Sequence, residues 1–141
     1  MVLPLMGHWS NPFQFDPEDY FGFIYLITNN INNKRYVGRK QFKSYFKRPP
    51  LKGRKNKRHC SKDSDWRCYC SSSQHVLDDI DTYGKCNFKF EIIHLCQNKS
   101  QLAYYEPFYM YKFNVLTERD KFGNRTFYNM QIPACRGIPK L

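Results

Sequence analysis

Residues 39–58 carry Arg39, Lys40, Lys43, Lys47, Arg48, Lys52, Arg54, Lys55, Lys57 and Arg58, ten cations without one acidic residue among them. Side chains of this type at this density neutralise phosphates, and each neutralised phosphate releases a condensed counterion. Phe42, Tyr45 and Phe46 are interleaved in the first part of the run. The same bias holds for the whole chain, where 23 Lys and Arg stand against 12 Asp and Glu for a net charge of +11. A polyanion partner, nucleic acid first, follows from that field. The 12 Phe, 11 Tyr and 2 Trp exceed what a core of this size needs. The surplus tyrosines are candidates for surface chemistry or base stacking. Glu106 is isolated among Tyr104, Tyr105, Phe108 and Tyr109, a setting in which a carboxylate costs desolvation unless a cation pairs with it. His59-Cys60 and Cys68-x-Cys70 supply four side chains of zinc-ligand type. Their spacing departs from the usual knuckle and Lys-rich sequence separates them, so unpaired, partly buried thiols are the preferred reading of the six cysteines.

The elements that must position these groups can be read from pattern. A length of 141 residues fits one domain with a real core. The start of the chain lacks a basic, apolar leader and no run of 18 apolar residues occurs, so a cytoplasmic protein with no membrane contact is expected. Residues 1–20 read as an aromatic and Pro-rich arm packed on the domain, 21–132 as the domain, and 133–141 as a tail. Residues 22–38 read as a β-hairpin, with an Asn-rich turn at Asn29, Asn30, Asn32 and Asn33. A helix starting at Gln41 would end at Pro49-Pro50, leaving a mobile basic loop in the rest of 39–58. Residues 71–84 read as a helix with a cap among Ser71 to Ser73, a stripe of Val76, Leu77 and Ile80, and a stop at Gly84. Residues 88–96 alternate as a strand with Phe88, Phe90, Ile92 and His94 on one face. Residues 100–113 read as a helix capped by Ser100, with a kink or break near Glu106 because Pro107 follows it. Residues 126–130 read as a short strand or extended stretch. The order β-β-α-α-β-α-β gives an α+β domain, a small mixed sheet with an N-terminal hairpin flanked by helices.

Phe23-Ile24-Tyr25, ten residues, and then Tyr36-Val37-Gly38 resembles the paired GIY and YIG motifs of a nuclease family. That family includes phage intron homing endonucleases, certain restriction enzymes and the cutting domain of bacterial excision repair. Phe23 stands where Gly is usual. Glu106 on a predicted helix and Tyr128-Asn129 beyond it extend the resemblance over residues 22–130. The resemblance implies hydrolysis of DNA phosphodiesters, read as double-stranded, with Glu106 holding one Mg²⁺ or Mn²⁺. It implies that one of Tyr25 and Tyr36 is a general base. A phenol titrates near 10, so a neighbouring cation, Arg39 or Lys40, is needed to favour the phenolate. The family's phosphate-binding arginine falls near Phe46, and a two-residue shift assigns it to Arg48, with Lys47 competing. No histidine role carries over, and His75 is read as structural. Asn129 orders the site by hydrogen bonds. Lys43, Lys47, Lys52, Arg54, Lys55, Lys57 and Arg58 are assigned to nucleic-acid contact. The implied setting is a small free-standing phage nuclease, in homing or in degradation of DNA, with a dimer allowed. Two other readings are a catalytically inactive nucleic-acid-binding protein on the same scaffold, acting as repressor or decoy, and a zinc-stabilised RNA-binding module.

Overall fold

The computed structural model describes residues 6–11 and 13–141. Among the described residues run five strands and two α-helices of more than two turns: β1 (Gly22–Asn29), β2 (Arg35–Gln41), β3 (Lys43–Arg48), β4 (Arg58–Asp63), α1 (Gln74–Tyr83), β5 (Phe88–Cys96) and α2 (Lys99–Lys112). An antiparallel three-stranded sheet has the order β2-β1-β5, and β3 and β4 make a separate two-stranded sheet. The class is α+β, as the pattern implied.

The β1–β2 turn forms where the asparagines lie. Asn33 takes a φ of 61°, and the Asn29 side chain accepts from the Ile31 N–H at 2.9 Å. The central strand β1 is buried on both faces. Phe23, Tyr25 and Ile27 enter one core with Trp9, Trp66, Phe90 and Ile92. Ile24 and Leu26 enter a second with Val37, Leu102 and Met110, beneath α2. Each such large side chain contributes roughly 1.5–3 kcal/mol on burial.

Several expectations change. No helix starts at Gln41. The segment 43–48 pairs with 58–63 as β3 and β4, an extended backbone that the following Pro49-Pro50 favours over helix at Arg48. The basic run is therefore the end of β2, all of β3 and the first residue of β4, with 49–57 as their turn. Asn98, not Ser100, caps α2 by accepting from the Gln101 N–H at 2.9 Å, and the Ser100 hydroxyl donates to Asn98. Helix α2 runs unbroken through Pro107, held by the burial of Leu102, Glu106, Pro107 and Met110 on that stretch. Ser73 caps α1, and Leu77 is exposed rather than part of the buried stripe. A bulge in β5 opposite Ile24 and Tyr25 shifts the register. His94 is thereby turned off the Phe88 face and stacks on Tyr105 of α2 at 4.0 Å. Residues 126–129 are extended but form one bridge, Arg35 to Phe127, rather than a strand.

Of residues 1–20, read as an arm, 1–5 and 12 lie outside the described residues; others of the arm contact the domain. Ser10 bridges Glu91 of β5, and Trp9 is buried with its indole N–H donating to the Trp66 carbonyl.

Candidate active site

Tyr25 and Tyr36 project from paired strands to the same face. In the register Tyr25 opposes Gly38, and Tyr36 opposes Ile27. The two rings lie 6.1 Å apart at 35°. Gly38 makes this possible, because a Cβ there would collide with the Tyr25 phenol. The phenol thus lies across the backbone of β2, a close approach that a side chain would prevent.

The loop before α1 closes over the rings. Ser71 lies within hydrogen-bonding reach of both phenols and Ser72 within reach of the Tyr36 phenol. Ser71 adopts a φ of 145°, a left-handed backbone that few non-glycine residues take. Tyr69 packs edge-on against Tyr25 at 6.1 Å. Burial pushes both phenols above their ordinary pKa, Tyr25 most strongly, and the Glu106 charge adds to the rise.

Glu106 comes from α2, which covers the opposite face, and it reaches the outer edge of β2. It is buried, and its carboxylate meets Arg39 Nε at 3.5 Å. Burial pushes its carboxyl pKa up, and Arg39 pulls it back in part. Glu106, Tyr36, Ser72, His75 and Asn129 line one cleft of about 540 Å³.

Asn129 fixes that edge. Its side-chain oxygen accepts from the Val37 N–H at 3.0 Å, and its amide donates to the Val37 carbonyl at 2.8 Å. One side chain so replaces a neighbouring strand on β2. The extended segment is anchored again at Tyr128, which donates to Asp79 at 2.6 Å and accepts from Asn29 at 3.0 Å.

The carboxylate on α2 and two phenols on a hairpin meet at an edge closed by a Tyr-Asn pair. Over residues 8–132 the sequence matches the family described as "Putative endonuclease segE, GIY-YIG domain". The chain belongs to the GIY-YIG endonuclease family. No curated protein and no solved structure matches it. The matched range begins at residue 8, inside the arm, in keeping with Trp9 being part of the core.

Other assigned residues of this GIY-YIG chain fall as follows. Arg39 faces Glu106 and also lines a second groove of about 770 Å³ with Lys40, Lys43, Tyr45, Tyr69 and Lys99. Lys40 is bound to Asp65 at 2.7 Å and lies 4.0 Å over the Tyr69 ring. Lys43 is bound to Glu18 at 2.8 Å. Arg48 is not gathered with Tyr36 and Glu106; it ends β3, over the Phe46 ring at 5.2 Å. Lys47 is on β3 and Arg58 on β4, while Lys52, Arg54, Lys55 and Lys57 lie in the exposed turn between them. His59 and Cys60 are on β4, and Cys68 and Cys70 in the loop beyond it. Among the described residues no three His, Cys, Asp or Glu side chains cluster to hold a metal.

Sequence reasoning missed Ser71 and Ser72 as partners of the phenols, Tyr69 as a wall, and Lys99 in the basic groove. The Ser71–Ser73 run is visible in the sequence but reads there only as a cap, and Ser73 alone serves that purpose. His75, read as structural, is exposed and faces the cleft. Lys99 lies far from the basic run in sequence, and only the packing of α2 on the sheet brings it there.

Proposed function

We propose that this GIY-YIG chain is a metal-dependent endonuclease that hydrolyses DNA phosphodiesters, with Glu106 as the metal ligand and Tyr36 as general base. The observation that carries the reading is the convergence of Tyr36 and Glu106 on one cleft. Tyr36 is preferred as base because it lines that cleft, whereas Tyr25 is 1% exposed and packs behind it. Tyr25 then acts as a positioning residue for Tyr36 and Ser71.

The donor set fits Mg²⁺ or Mn²⁺. It is a single buried carboxylate, loosely paired at 3.5 Å, opening on a cleft with room for water, and hard divalent ions of this size retain several waters. Bound there, such an ion would polarise a phosphoryl oxygen and offset the repulsion that Glu106 exerts on the phenols. The chain's own groups do the rest. As its phenolate, which the charge of an ion held by Glu106 would favour against the rise that burial causes, Tyr36 accepts the proton of the attacking water at its phenol oxygen and becomes the neutral phenol. Arg39, between the basic groove and Glu106, holds the phosphate, and its planar fork suits two phosphate oxygens. Asn129 keeps β2, and with it Tyr36, in place. The basic groove lined by Lys40, Lys43 and Lys99 leads the DNA backbone to Arg39. Action as a phage enzyme, in homing or in degradation of DNA, is the biological form of the same proposal. Among the described residues no helix is long and apolar enough to cross a membrane.

Nicking of supercoiled plasmid in Mg²⁺ or Mn²⁺ tests this. Wild type is expected to nick, and Glu106→Ala and Tyr36→Phe are expected to lose nearly all activity while still binding DNA. Intact plasmid with wild type across both metals, or full activity in Glu106→Ala, would end the proposal.

A further inference from the structure

We propose that the β3–β4 hairpin is a groove-reading ribbon for duplex DNA, with Arg48, Arg58 and Lys62 turned into the major groove. The inference rests on the reading of the chain as a DNA nuclease and assigns a recognition element to it.

The hairpin stands apart from the main sheet, and most of its residues are exposed. Its register sorts the side chains into two faces. Lys43, Tyr45 and Lys47 oppose Asp63, Ser61 and His59, while Ser44, Phe46 and Arg48 oppose Lys62, Cys60 and Arg58. The first face is turned to the protein body at its base. Tyr45 stacks on Phe21 at 5.8 Å and 6°, and Lys43 is bound to Glu18. The second face has no acidic residue. Arg48 and Lys62 both lie over the Phe46 ring, at 5.2 and 5.9 Å, and among the described residues neither they nor Arg58 has an ion pair.

Arg48 lies directly opposite Arg58. Like charges in that relation destabilise a strand pair; Arg58 donates to the Pro49 carbonyl at 3.3 Å and Arg48 lies over Phe46, contacts that leave both charges without the counter-charge a polyanion supplies. The shape agrees. Six residues per strand extend about 20 Å, with the two strands about 4.8 Å apart. A two-stranded ribbon fits the major groove of B-DNA, about 12 Å wide, whereas the major groove of duplex RNA is too narrow to read. Arginine is also the side chain that reads guanine O6 and N7 bidentately. The basic groove begins at Lys43, Ser44 and Tyr45 on the hairpin and ends at Arg39 beside Glu106. A duplex engaged by the ribbon is therefore led to the cleft.

The test is made on full-length Glu106→Ala protein in EDTA, so that binding is read apart from cleavage. A duplex of about 30 base pairs, longer than the ribbon can span, is titrated at several salt concentrations and probed with dimethyl sulfate, which methylates guanine N7 in the major groove and adenine N3 in the minor. Protection of guanine N7 is expected. Adding Arg48→Ala, Arg58→Ala and Lys62→Ala should remove that protection, weaken binding at least about tenfold, and lower the salt slope by about 0.9 for each phosphate that is no longer neutralised. Arg48→Lys with Arg58→Lys guards against a folding defect. It should keep the salt slope and most of the N7 protection, because lysine also donates to guanine O6 and N7. Protection at adenine N3 alone, unchanged binding by the triple variant, or tighter binding to duplex RNA or single strands would overturn the ribbon. Absence of nicking by wild type with N7 protection intact would remove the nuclease reading and leave the ribbon standing.

Discussion

Replacing Asn129 by Ala removes both hydrogen bonds that close the β2 edge. Asn129 is 2% exposed and Val37 fully buried, so the N–H and carbonyl of Val37 lose their side-chain partner inside the protein. An unsatisfied buried polar group costs about 1–3 kcal/mol, which puts the pair at about 2–6 kcal/mol. Asn129 also borders the cleft, so water can enter and relieve part of this, leaving about 2–4 kcal/mol. In a chain of this size each kcal/mol lowers the melting temperature by about 3–4 °C. Calorimetry should therefore show Asn129→Ala melting about 6–16 °C below wild type. Cleavage measured well below that melting point should fall with it, because Tyr36 precedes Val37 on the same strand. Asn129→Asp should rescue little: it can accept from the Val37 N–H, cannot donate to the Val37 carbonyl, and adds charge beside Glu106. A melting temperature within about 2 °C of wild type would refute the clamp. Lost cleavage at unchanged stability would instead mean that Asn129 acts on substrate rather than through β2.

Three further outcomes follow from the same geometry. Gly38→Ala should drive a methyl into the Tyr25 phenol and cost about 1–3 kcal/mol by overpacking, read as a lower denaturation midpoint with reduced nicking. Glu106→Gln should abolish cleavage yet leave the protein at least as stable at neutral pH. Burial raises the folded carboxyl pKa, so wild type loses stability as pH rises from the unfolded value into the folded one. The Gln variant should lack that loss in melts from about pH 4 to 7. His8 stacks on Phe90 at 3.9 Å, and burial with the Lys85 charge lowers its pKa to about 4. Its contribution is present above about 6.5 and declines as pH falls towards about 4, so the melting temperature of His8→Phe should vary less with pH over that window than that of wild type.

The β1–β2 hairpin is legible in the sequence because its signals are local: a β-branched run, asparagines that accept a left-handed turn, and tyrosines at the spacing that pairing requires. Glu106 is legible as an isolated carboxylate among aromatics. What fails depends on partners distant in sequence. Nothing between Gln41 and Arg48 announces that Arg58–Asp63 will pair with it, so an apolar-basic stretch ending in two prolines looks helical. Pro107 looks disruptive because its cost is local, while the burial of Leu102 and Met110 that overrides it is not. His94 falls off its expected face through a single inserted residue, since a period of two cannot survive a bulge. The serines are conspicuous and still under-used by a reading from pattern: a cap needs one hydroxyl, and three in a row leave two for other work.

The position of the site follows from a problem that every small sheet must solve. Strand β2 is an edge, and its outer N–H and carbonyl groups need partners. The chain meets that need with residues 126–129, whose last member supplies a side-chain amide where a strand would supply backbone. The same cover places Asn129 beside Tyr36 and Glu106, so closing the sheet and framing the cleft are one structural event. A full partner strand along β2 would satisfy its backbone as well and would fill the cleft. Short, extended cover satisfies the edge and leaves the cleft open. The raised carboxyl of Glu106 and the raised phenols are the cost of that location, half inside the protein.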